Sequence, residues 1–259
     1  MVRPKKHLGQ HFLTDPAIAK RIVDLSPADE TSSVIEIGPG TGVLTKHLLN
    51  KELRELLLVE IDEESVAFLR NNYPEITASI IHTDILKTGP ELFERENLHI
   101  IGNFPYNISS QIFFRILEQR DRVVSVTCMI QKEVADRIIS PPGSKVYGIL
   151  SVLLQAYYNI QSGFQVKPGS FFPPPKVTSS VIILKRNEIR SLGCNEQLFQ
   201  RIVKATFNQR RKTIRNSLKT ILLNLGDENP ILSKRPEQLS VQEFIELTKW
   251  TEDKIQGNK

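Results

Sequence analysis

Cysteine is nearly missing from this 259-residue chain: Cys128 and Cys194 are the only two. That is too few for a disulfide framework, and their spacing is not that of metal ligands. Cys128 lies in the apolar run Val123-Val124-Ser125-Val126-Thr127-Cys128-Met129-Ile130, where a small buried hydrophobe is the expected role. His7 and His11 are four apart, but no further His or Cys is near them, so no metal site is expected. Long hydrophobic runs are missing too. Stretches such as Leu56-Leu57-Leu58-Val59 fall far short of the roughly 20 apolar residues that cross a bilayer. The basic N-terminus, Met1-Val2-Arg3-Pro4-Lys5-Lys6-His7, has no apolar segment behind it to make a secretory signal. A cytoplasmic protein without membrane contact is expected.

What is present is an ordinary globular composition, 40% hydrophobic and 24% charged, enough for one substantial domain and a small appendage. From about residue 17 to 185, β-branched apolar runs alternate with amphipathic segments, the pattern of a sheet covered by helices. Strands are expected at Ser33–Ile37, Leu56–Ile61, Ala78–His82, His99–Gly102, Val123–Ile130, Asn159–Val166 and Val177–Lys185. Helices are expected at Pro16–Leu25, Gly42–Lys51, Glu63–Asn71, Ser109–Gln119, Lys132–Ser140 and Ile149–Tyr157. Seven strands with helical crossovers predict a doubly wound α/β sheet. Asn187 to Asn195 breaks the pattern, which divides the chain into a sheet domain over 1–188 and a helical domain over 189–259.

In the second part, Val203, Phe207, Ile214, Leu218, Ile221 and Leu225 fall on one face at period 3.6. Lys204, Asn208, Arg211, Arg215 and Lys219 form a second stripe. A capping box, Ser240-Val241-Gln242-Glu243, then starts a last helix through Trp250. Net charge is +5, and residues 201–219 hold seven Lys or Arg without an acid. A solvated helix face normally intersperses Glu and Asp; this cluster suits a polyanion instead.

Val34-Ile35-Glu36-Ile37-Gly38-Pro39-Gly40-Thr41-Gly42 reads as a strand running into a glycine turn that opens a helix. Glycines there let a ligand lie against bare backbone, or simply make a tight turn. Glu60 ends the second strand, near the offset at which a carboxylate takes a ribose diol. Asp62 could take that role instead, or both could cap a helix. Asp84 ends the third strand and could accept from an adenine amino group or cap a helix. Asn103-Phe104-Pro105-Tyr106 follows the fourth, and offers an amide, a rigid turn and an aromatic ring. Such a loop can hold a flat nucleobase by its face while gripping its exocyclic amino group. The ordered series along one sheet edge is that of an S-adenosylmethionine enzyme.

With these residues assembled, the chain resembles the bacterial KsgA (RsmA) family of ribosomal RNA adenine dimethyltransferases over nearly its whole length. The resemblance rests on Gly9-Gln10-His11-Phe12-Leu13-Thr14-Asp15, Glu36 to Gly42, Asn103 to Tyr106, Gln131-Lys132-Glu133-Val134-Ala135, Phe171-Phe172-Pro173-Pro174-Pro175-Lys176-Val177 and Phe207 to Leu218. It implies a Rossmann-like class I methyltransferase domain with a small all-α C-terminal domain. It implies donor contacts at His11, Leu13, Gly38, Glu60, Asp84 and Asn103, with Gly40 in the same glycine turn. Catalysis would fall to Asn103, Phe104, Pro105 and Tyr106, with Phe171 stacking on the base opposite Tyr106, and RNA binding to Arg210, Arg211, Lys212 and Arg215. The family usually has Asn where this chain has His11 and Leu where it has Phe104, whose larger ring is expected to tighten the pocket. The implied substrate is a pair of adjacent adenosines in the 3′-terminal hairpin of small-subunit ribosomal RNA, within an assembling 30S particle, and a monomer is expected. Large-subunit ribosomal RNA or DNA as the methylated polymer, and a non-catalytic assembly factor, are the alternatives.

Overall fold

The computed structural model describes residues 2–222 and 229–257. The chain divides into two compact units, one of residues 1–135 with 159–186 and one of residues 136–158 with 187–259. The second unit thus takes in a segment that the sequence pattern assigned to the sheet domain.

In the first unit the seven expected strands form one sheet. They are β2 (Ser33–Ile37), β3 (Glu55–Glu60), β4 (Ile80–His82), β5 (Leu98–Asn103), β6 (Val123–Gln131), β7 (Tyr158–Val166, whose first residue belongs to the second unit) and β9 (Ser179–Arg186), in the order β4-β3-β2-β5-β6-β9-β7. The pairs β2/β3, β2/β5, β3/β4 and β5/β6 are parallel, and β9 runs antiparallel to β6. Every residue of β2 is buried, as a strand must be when both sheet faces are covered. On one face, α1 (Pro16–Asp24) and α2 (Thr45–Leu48) pack Ala19, Ile22, Val23, Leu44 and Leu48 against Val34, Ile101, Met129 and Val181. α1 is started by the Asp15 carboxylate, which accepts from the amides of Ala17 and Ile18, with Pro16 at its first position. α3 (Glu63–Asn72) buries Val66 and Leu69 against Leu58, Ile76 and Ile80. α4 (Ser109–Glu118) and α5 (Lys132–Ile139, which crosses into the second unit) complete its helices.

Two local features depart from the sequence expectation. α2 is shorter than the expected Gly42–Lys51, because Gly42 has φ of +79° and its conformation lies outside a right-handed helix. Residues 12–13 (β1, Phe12–Leu13) pair antiparallel with residues 171–172 (β8, Phe171–Phe172), with Phe12 opposite Phe172 and Leu13 opposite Phe171. Two residues are too few for a period to register in a sequence.

The second unit holds α6 (Ile149–Gln155), α7 (Glu196–Asn208), α8 (Ile214–Leu218) and α9 (Val241–Gly257). Phe207 packs edge-on against Tyr147 and at a tilt against Phe244, with centroids 6.0 and 5.9 Å away. The expected stripe is split: the helix stops at Asn208, and the amide of Ile214 donates to the Lys234 carbonyl before α8 begins. Val203, Ile214 and Leu218 are nevertheless buried. Leu225 lies outside the described residues. The Ser240 capping box forms as expected: the Glu243 carboxylate accepts from the Ser240 amide at 2.8 Å. No helix among the described residues is long and apolar enough to cross a membrane.

Candidate functional site

The chain leaves β2 for β3 and β4 on one side, then returns to β5 on the other side of β2. A crevice must open at such a switch point, beyond the carboxyl ends of the strands. Gly38 follows β2 with φ of +67°, a left-handed conformation that a side chain disfavours. A Cβ at Gly38 would lie 3.9 Å from the Asn103 carbonyl oxygen and 3.8 Å from Pro105, so the two loops are neighbours. The cleft between them is lined by Gly38, Gly40, Glu60, Asn103, Pro105 and Tyr106 among others. It continues past Gly38 and Glu60 along Thr83, Asp84 and Ile85.

The Glu60 carboxylate accepts from the Gly40 amide at 3.0 Å and from the Ile61 and Asp62 amides at 2.9 Å each. It ties the glycine turn to the end of β3. Burial pushes its carboxyl above the ordinary range, against the pull of those three amides. Asp62 is otherwise engaged. It pairs with Lys5 and accepts from Gln10 at 3.2 Å and from Ser65 at 2.9 Å. Burial alone would raise its carboxyl, but these partners hold it below the usual range. Of the two acids left open by the sequence, Glu60 therefore lines the cleft, and Asp62 fastens the N-terminal segment. Asp84 does two things at once: one oxygen accepts from the Leu86 amide at 2.9 Å as a helix cap, and the residue lines the cleft.

Glu36 lies behind the glycine turn, fully buried, and accepts from the Thr45 hydroxyl at 2.7 Å. Burial pushes its carboxyl up to about 8, so it is neutral at pH 7 and spares the cleft a second anion beside Glu60. A raised carboxyl contributes stability that is complete below its unfolded value and is lost as pH rises through the folded one. Thermal unfolding of the Glu36→Gln variant should lack a decline between about pH 5 and 8 that the unsubstituted chain has, on the order of 5 kcal/mol at full extent. An unchanged pH slope would refute the neutral carboxyl.

The Asn103 side-chain nitrogen donates to the His11 carbonyl at 2.9 Å. Its Oδ1 is buried without a partner. A carbonyl can only accept, so this bond fixes the amide with its oxygen turned elsewhere. Tyr106 donates to or accepts from the Ser179 hydroxyl, and its ring is stacked by His11 with centroids 5.3 Å apart and planes at 30°.

Several expected positions fall differently. The Phe104 ring, expected to tighten the cleft, packs edge-on against Phe113 in a residue that is 1% exposed, although Phe104 is still among the residues that line the cleft. Phe171 does not face Tyr106 as a second stacking wall. Its ring is 4% exposed in the core cluster with Leu13, whereas Phe172 is 57% exposed. The β1/β8 alternation sends Leu13 and Phe171 inward together, so Leu13 too offers the cleft no side chain. In the second unit, Arg210 donates to the Ser144 carbonyl and approaches Glu237 at 3.8 Å; Arg211 and Lys212 are exposed in the turn between α7 and α8, and Arg215 is half-buried. Sequence reasoning gave no role to Lys5, Gln10 or Ser179; the visible signals were the basic N-terminus and the motif that contains Gln10.

The fold, with its glycine turn, acid and amide at the switch point, is that of the class I S-adenosylmethionine-dependent methyltransferases. A dimethyladenosine transferase from Plasmodium falciparum shares it with a TM-score of 0.78 at 23% identity, over 94% of this chain and 98% of that one. The 23S rRNA methyltransferase ErmE shares it with a TM-score of 0.65 at 24% identity, over 92% and 99%. The chain belongs to the ribosomal RNA adenine dimethylase family, whose model matches residues 1–251. It is 54% identical over 255 residues to the ribosomal RNA small subunit methyltransferase A of Phocaeicola vulgatus, covering 97% of this chain and 91% of the relative. It is 55% identical over 251 residues to the protein of that name from Flavobacterium johnsoniae, covering 95% of each. The resemblance read from the separated motifs is borne out, and the protein is an S-adenosylmethionine-dependent ribosomal RNA adenine methyltransferase.

Proposed function

We propose that the chain dimethylates N6 of two adjacent adenosines in the 3′-terminal hairpin of small-subunit ribosomal RNA, acting as a monomer on an assembling subunit, and that donor and base meet in the cleft between Gly38, Glu60 and Asn103. The observation that carries this reading is the buried, unpartnered Oδ1 of Asn103. A buried acceptor without a donor costs free energy unless a ligand supplies one, and an exocyclic amino group is such a donor.

The residues fit S-adenosylmethionine. Gly38 and Gly40 have no Cβ, and at Gly40 one would come within 2.8 Å of the Phe12 ring. Glu60 is a carboxylate suited to a ribose diol, and Asp84 has an acceptor for an adenine amino group beyond the oxygen that caps its helix. Leu13 and His11 contribute main chain beside it. When bound, the sulfonium supplies an electrophilic methyl group for in-line displacement. Adenine N6 is a poor nucleophile, because its lone pair is delocalised into the ring. Acceptors on both N6 hydrogens, the Asn103 Oδ1 and the Phe104 carbonyl, favour a pyramidal nitrogen with its lone pair aimed at the methyl. Pro105 holds the turn, and Tyr106 stacks on the extruded base. After the first transfer the nitrogen gives up one proton to solvent, turns and presents its lone pair again, and a neutral Asn grips the remaining hydrogen less firmly than a charged Asp would.

The direct test uses labelled S-adenosylmethionine with immature small subunits, naked large-subunit RNA or duplex DNA, followed by digestion and nucleoside identification. N6,N6-dimethyladenosine is expected from the small-subunit sample; its absence there overturns the proposal. Exposed Arg211 and Lys212 are assigned to RNA phosphates. Replacing both with Ala should weaken RNA binding and lower the slope of log affinity against log salt by about 2, one per contact. Arg210, held by Ser144 and near Glu237, is expected to affect folding of its own unit more than the salt slope. A slope that changes with Arg210 alone would reverse that assignment.

A further inference from the structure

We infer that the imidazole of His11 is a gate on the target-base slot: it occupies the face of Tyr106 that the adenine takes, and it must swing away before methyl transfer. The inference rests on the proposed role of Tyr106 as the base-stacking residue. His11 and Tyr106 both line the cleft that contains Gly38, Glu60 and Asn103, so the face between them borders the reacting atoms. Their centroids are 5.3 Å apart. Aromatic pairs stack with centroids about 4.5–7 Å apart, so a base inserted between the two would need roughly twice the lower spacing. The slot and the ring cannot be filled together.

The attachments of His11 suit a part that moves. Its ring is held by the stack and by one bond, Nδ1–H donating to the Pro173 carbonyl at 2.7 Å. Its main chain is held separately, by the Asn103 amide at 2.9 Å and by pairing of the next residue, Phe12, with Phe172. Side-chain rotation therefore breaks the ring's two contacts and leaves the carbonyl that orients Asn103 in place. The N-terminal segment that carries His11 is itself anchored: Lys5 pairs with Asp62 and Glu64, Gln10 donates to Asp62, and Asn107 donates to the His7 carbonyl. Gating thus needs one side chain to turn, not the segment to unfold. His11 is a positioning residue by its main chain and a competitor of the base by its ring.

A closed slot lowers apparent affinity by the fraction of molecules that are open. Two measurements on the full chain test the gate. In the free protein, the proton resonances of the His11 ring should be shifted upfield by the Tyr106 ring, and the shift should vanish in Tyr106→Leu. On addition of the hairpin RNA with its two adjacent adenosines, the same resonances should move back. In methylation of immature small subunits, His11→Ala should lower the KM for the particle about three- to tenfold, the ratio expected from releasing one aromatic pair, with a smaller effect on the dissociation constant of S-adenosylmethionine. His11→Asn, which keeps a polar side chain and the carbonyl, should behave alike and guards against a folding defect in the Ala variant. A ring that stays upfield with RNA bound, or a KM that rises in both variants, makes His11 a wall of the slot and overturns the gate. A donor constant that changes more than KM makes it a donor contact and overturns it equally. Failure of the underlying reading is separable: Tyr106→Ala would then leave KM and kcat unaltered whatever His11 does.

Discussion

Asn103→Ala is expected to abolish methyl transfer while leaving RNA binding within about twofold. In the proposed mechanism the side chain contributes one atom to the chemistry, the unpartnered Oδ1, to accept one N6 hydrogen while the Phe104 carbonyl takes the other. Loss of a single acceptor or donor aimed at the reacting atom costs about 10²–10³ in kcat. Here the loss is expected at the upper end, because the remaining carbonyl alone no longer fixes the direction of the lone pair. RNA affinity is expected to come from phosphate contacts elsewhere, so the loss should fall on kcat and not on the KM for RNA. Single-turnover rates and filter-binding measurements distinguish the two. Equal loss of both would mean that Asn103 holds the RNA and does not act on the nitrogen. The variant also removes the bond to the His11 carbonyl. Asn103→Asp is therefore the companion: it restores an acceptor, turns the contact with that carbonyl repulsive, and should give monomethyl product in excess over dimethyl.

Glu60→Ala should weaken S-adenosylmethionine binding at least a hundredfold by calorimetry. Two charge-assisted hydrogen bonds to a diol contribute about 1.5–3 kcal/mol each, and the substitution also frees the Gly40, Ile61 and Asp62 amides that the carboxylate collects. Glu60→Gln keeps an acceptor for part of that set and should lose less, about tenfold. Asp62→Asn is the control for the alternative left open by the sequence. It breaks the Lys5 pairing and should loosen the N-terminal segment with a smaller effect on the donor. A donor constant that survives Glu60→Ala but not Asp62→Asn would exchange the roles of the two acids.

Most of the sheet domain was legible because its signals are local and periodic. β2 and β6 are apolar runs bounded by turn residues, α1 announces itself with Asp15 and Pro16, and the glycine turn needs residues that only its backbone conformation explains. The helical unit was less legible. A period of 3.6 predicted one continuous stripe, but the chain leaves the helix between Asn208 and Ile214, where a bond to Lys234 from a distant part of the sequence competes with helix continuation. The basic residues of that stretch were consequently read as equivalent, although Arg210 is spent on Ser144 and Glu237.

By itself the sequence determined the order of strands and helices, the glycine turn, the acids at the strand ends and the amide loop, and through them the family. Each is a property of neighbours in the chain. Only the tertiary structure decided which of two adjacent acids faces the cleft, which of two adjacent phenylalanines is buried, that Phe104 turns inward, and that His11 stacks on Tyr106 while its carbonyl orients Asn103. Those outcomes depend on partners that meet only in space, from Glu60 and Gly40, 20 residues apart, to Phe12 and Phe172 at opposite ends of the sheet domain's sequence, and no local period or spacing encodes which partner a side chain will meet.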